Sequence, residues 1–81
     1  MVHPLNILKS KLEELPNNIE AEQSIIGSIL ISNEIFDEIN IIISSKNFYD
    51  PMHQKIFGAI EKLIYSGMLA NPITLKNYFE N

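Results

Sequence analysis

Two histidines, ten acidic residues and six lysines carry most of the ionisable chemistry of this 81-residue sequence, and no cysteine accompanies them. Glu34, Asp37 and Glu38 share one face of a predicted helix, an arrangement that invites a general acid/base reading. A working acid needs apolar surroundings to hold its proton near neutral pH, whereas carboxylates in the first turns of a helix are kept ionised by its dipole. The three are therefore expected to be a solvated face, and Glu13-Glu14 and the Glu20/Glu22 pair are read the same way. His3 and His53 have no carboxylate or second histidine at metal-ligand spacing. His53 falls on the first turn of a helix, off its apolar stripe, and is expected on the surface or bracing the turn. Ser24, Ser28, Ser44 and Ser45 have no base near them in sequence. Gly27, Gly58 and Gly67 stand alone, and no lysine follows a paired glycine, so a phosphate-cradling loop is absent. The sequence thus predicts no catalytic residue, no cofactor-binding residue and no metal ligand.

Charge narrows the field further. The net charge is −4 and the pI is near 5.0, the wrong sign for a surface that neutralises phosphates. All six basic residues are lysines, which leaves no guanidinium to grip a phosphate or a guanine in bidentate fashion. The expected partner of this segment is protein rather than nucleic acid. Without cysteine there is no disulfide or thiolate chemistry, which fits a reducing cytoplasm. The first residues, MVHPLNILKSKLEEL, lack the basic start and continuous apolar run of a signal peptide. No stretch approaches the roughly 20 apolar residues needed to span a bilayer.

The elements that would position these residues are all helical. Residues 1–16 form an arm in which Leu5, Leu8, Leu12 and Leu15 recur at spacings of 3, 4 and 3, closed by Pro16. It is either a short helix docked on the body or a partner, or a frayed tail. Residues 17–81 form the core. Asn18 caps a second helix with Glu20 and Glu22 in its first turn, and Ile19, Gln23, Ile26 and Leu30 lie on one stripe that Ile25 and Ile29 widen. Ser32-Asn33 breaks the chain and caps a third helix over residues 34–43. There the isoleucine-rich end could be a strand by composition, but Ile35, Ile39 and Ile42, with Phe36 and Ile43, keep a 3.6-residue period. Residues 44–48 make a turn. Asp50-Pro51 is a strong start signal for a helix over residues 51–66 with Met52, Ile56, Ile60 and Leu63 on its core stripe. Gly67 ends it as a left-handed cap, with Met68 packing back on Leu63. Asn71-Pro72 or Thr74 caps a last helix with Leu75, Tyr78 and Phe79 inward. No stop signal follows, so the chain is expected to continue in its natural context, into a linker and a GxxxxGK[ST] loop.

The run LPNNIEAEQSIIGSILISNEIFDEI resembles the opening of the N-terminal domain of bacterial DnaB-type replicative DNA helicases. KNFYDPMHQKIFGAIEKLIYSG and NPITLKNYFEN are similar to the two blocks that follow there, in the same order, so the likeness runs from about residue 15 to residue 80. Lys46, Phe36 and Asn71 depart mildly from the family pattern. The resemblance implies an all-α fold, a small orthogonal bundle of about four to five short helices, without the C-terminal helical hairpin that follows in the family. It implies a non-catalytic collar domain that assembles with other helicase subunits in a hexamer and contributes to primase docking. ATP, Mg and DNA would belong to the motor of the full-length helicase. On this view Ile19, Ile26, Leu30, Phe48, Ile56, Phe57 and Ile60 are core, Asp50 and Gly67 are caps, and the polar residues left over for contact are Glu22, Gln23, His53, Gln54 and Lys55. The alternative is a free-standing helicase-like small protein that regulates or caps a helicase ring. An enzyme reading ranks below both.

Overall fold

The computed structural model describes residues 18–80, and the predicted arm over residues 1–16 lies outside them. Four α-helices make up the described chain: α1 (Ile19–Ile31), α2 (Phe36–Ile42), α3 (Pro51–Tyr65) and α4 (Pro72–Glu80). Single 3-10 turns at Asn33–Ile35 and Ser45–Asn47 precede α2 and α3. No strand occurs among the described residues, so the all-α expectation holds.

Helices α1, α3 and α4 begin where a short polar side chain can satisfy their free N–H groups. Asn18 Oδ1 accepts from Ala21 N at 2.9 Å, with Glu20 and Glu22 in the first turn. Asp50 accepts from Met52 N at 2.7 Å and His53 N at 3.4 Å, and Pro51, lacking an N–H, occupies the first position. Asn71 accepts from Ile73 N and Thr74 N, each at 2.9 Å, while Thr74 Oγ1 accepts from Asn71 N at 2.9 Å. This reciprocal arrangement is a capping box, so both residues proposed for that end take part. Helix α3 ends as its glycine predicts. Gly67 has φ +79, Gly67 N donates to Ile64 O at 3.0 Å, and Met68 N donates to Leu63 O at 2.9 Å. These two bonds are the Schellman pattern, which a residue with a Cβ adopts only at a cost.

Helix α2 differs from expectation at its start. Ser32 makes no capping side-chain bond, and Asn33 does not cap either. Instead Asn33 Nδ2 donates to Ile29 O at 2.8 Å and to Ala70 O at 2.9 Å, and its Oδ1 accepts from Ala70 N at 2.8 Å. One amide side chain thereby ties the end of α1 to the link between α3 and α4.

Three phenylalanines centre the core. Phe57 on α3 meets Phe36 at 5.4 Å and Phe48 at 5.0 Å between ring centroids, inside the range where tilted aromatic pairs attract. Ile25, Ile29, Ile39 and Ile60 close around them, all fully buried. Helix α3 packs on α1, on α4 and on the Ser45–Asn47 turn, so it is the element the others are built against.

Several stripes are rotated from their expected phase. On α1 the buried face is Ala21, Glu22, Ile25, Ile26 and Ile29, and Ile19 and Gln23, placed on the stripe by sequence, are exposed. Leu30 and Ile56, read as core, are half-buried. Met52, Ile42 and Phe79 are exposed rather than inward. All three sit at or near helix ends, where half a turn of neighbours is missing and an apolar side chain finds nothing to pack on.

Candidate functional site

The strongest polar arrangement among the described residues is buried, between α1 and the start of α3. Glu22 has no solvent exposure and His53 almost none, and His53 Nδ1 lies 2.8 Å from Glu22 Oε1. The carboxylate also accepts backbone N–H bonds from Tyr49, at Oε2, and from Asp50, at Oε1 and 3.2 Å. Asp50 in turn caps α3, and Gln54 Nε2 donates to Phe48 O at 2.7 Å. The ring of His53 stands edge-on to Phe48 at 6.4 Å. A single carboxylate thus gathers three donors from residues 49, 50 and 53, and fixes the entry of α3 against α1.

Burial pushes the Glu22 carboxyl up, but the hydrogen bonds from His53 and from the Tyr49 and Asp50 amides outweigh it. The net effect holds the group below the usual glutamic acid value. A buried carboxylate is tolerated only when its lone pairs are taken up in this way. A carboxylate–histidine pair can serve acid/base catalysis in other settings. Here the carboxylate is enclosed and its partners are backbone amides of a turn. The pair therefore does positional work.

Two of the five contact candidates are corrected by this geometry. Glu22 and His53 are interior groups bound to one another, not exposed polar residues. The third, Gln54, is half-buried, with its amide engaged by Phe48 O. Only Gln23 and Lys55 stand in solvent as expected. The pairing escapes a linear reading because 31 residues separate its members. One sequence signal does point to it: Glu22 precedes Ile25, Ile26 and Ile29 by 3, 4 and 7 residues, the spacing of a shared helix face. Glu34, Asp37 and Glu38 are exposed as read.

Elsewhere the described residues offer surface rather than pocket chemistry. None of their His, Asp and Glu side chains form a group of three or more able to hold a metal ion. No helix among them is long and apolar enough to cross a membrane. Asn40 Nδ2 donates to Tyr65 Oη at 2.8 Å and to Glu61 Oε2 at 3.4 Å, linking α2 to α3 at the surface. Large apolar side chains remain in solvent at many points along the described residues, Ile31, Ile41 and Ile73 the most exposed among them.

Comparison with known proteins identifies the kind of domain. Residues 14–81 match the family described as the DnaB-like helicase N terminal domain. The chain is 44% identical over 63 residues to a protein of Rickettsia felis named Replicative DNA helicase DnaB. It is 40% identical over 67 residues to the protein of that name from Rickettsia bellii, and 43% identical over 70 residues to that of Buchnera aphidicola subsp. Baizongia pistaciae. These alignments cover 78%, 83% and 86% of this chain but 13%, 14% and 15% of the relatives. The chain therefore spans only about one seventh of the length of these three relatives. No solved structure matches it.

Proposed function

This chain belongs to the family of DnaB-like helicase N-terminal domains, and we propose that it serves as the non-catalytic collar domain of a replicative DNA helicase. Its work is assembly of the helicase ring, through contacts with other helicase subunits, and docking of primase during DNA replication. Unwinding, with the ATP and Mg it consumes and the DNA it acts on, is assigned to a motor domain outside this sequence. The setting is the bacterial cytoplasm.

The observation that carries the reading is the family match over nearly the whole chain, at a small fraction of each relative's length. Chemistry agrees with it. A surface with net charge −4, no arginine and no glycine-rich loop suits protein contact better than phosphate contact. The strongest polar cluster is spent on holding two helices together. Large apolar side chains left in solvent, Ile31, Ile41 and Ile73 among them, are available for contact with a neighbouring protein.

Light scattering of the chain alone, and with the C-terminal domain of a bacterial primase, tests the proposal. The expected result is self-association, a complex with primase, or both. A monomer that ignores primase at high micromolar concentration, or micromolar binding of ATP or single-stranded DNA at physiological salt, overturns it.

A further inference from the structure

We draw no further inference here: the strongest candidate, the apolar groove between the end of α3 and α4 lined by Leu63, Met68, Thr74, Asn77 and Tyr78, carries nothing because nothing in the structure shows what covers it.

Discussion

Replacing Glu22 with glutamine keeps the shape of the buried side chain and removes one of its acceptors. Three donors converge on the carboxylate: Tyr49 N at one oxygen, Asp50 N and His53 Nδ1 at the other. In Glu22→Gln the amide oxygen can keep one side of this set, and the NH2 group then faces the other. His53 can adapt by presenting an unprotonated Nδ1, but a backbone N–H cannot. At least one buried amide is left without an acceptor, a cost of about 1–3 kcal/mol, and the remaining bonds lose the strength conferred by charge. The expected destabilisation is about 2–3 kcal/mol, which lowers Tm by roughly 10–20 °C in a domain of this size. The pH dependence has a definite sign. The folded carboxyl titrates below its ordinary value, so its contribution is complete above the unfolded value of about 4.3 and is lost as pH falls through the lower folded value. Urea denaturation followed by far-ultraviolet CD, run at neutral pH and again at decreasing pH below the ordinary glutamic acid value, measures both. The gap between wild type and Glu22→Gln should be widest at neutral pH and narrow on acidification. A gap below about 0.5 kcal/mol at neutral pH, within the range of ordinary surface substitutions, or one that does not change with pH, refutes the account of Glu22 as an ionised anchor.

The Asn33 tie and the glycine cap give two further tests. Asn33→Ala deletes three bonds that join α1 to the α3–α4 link and should cost about 2 kcal/mol. Hydrogen exchange at the Ala70 amide should rise more than that of the α3 interior, and equal protection in both proteins would count against the tie. Gly67→Ala forces a Cβ into a left-handed conformation with nothing near it to clash. The cost should therefore be the backbone term alone, about 1 kcal/mol, and a thermal melt showing no loss would contradict that assignment.

Helix starts and stops were legible because capping is local chemistry. Asn18, Asp50-Pro51, Asn71 with Thr74, and Gly67-Met68 each act within a few residues of themselves, and each does what its type and spacing predict. The helical phase of α1 was harder to read. An apolar count places Ile19 and Gln23 on the stripe because it treats Glu22 as a surface residue. The fold instead draws Glu22 inward, since three donors wait there, and the whole helix rotates to suit. Those donors come from a turn 27 to 31 residues away, beyond any local pattern. Asn33 shows the same effect across 37 residues. It reads as a cap from its neighbours and serves as a cross-link to Ala70. The candidate contact surface suffered most, because elimination assumes that polar means exposed. Glu22 and His53 satisfied the first condition and failed the second.

The convergence of donors on Glu22 also limits how this domain can diverge by single mutations. Aspartate is one methylene short of the turn, glutamine turns a donor toward donors, and any apolar residue strands two backbone amides. Position 53 is less restricted, since loss of the imidazole still leaves the carboxylate both N–H groups of the turn. Variation should therefore reach the histidine before the glutamate, and an alteration at 22 should survive only alongside a rebuilt turn at 49–50. In a lineage under strong mutational drift, that asymmetry makes the α1–α3 joint a place where neutral paths run in one direction.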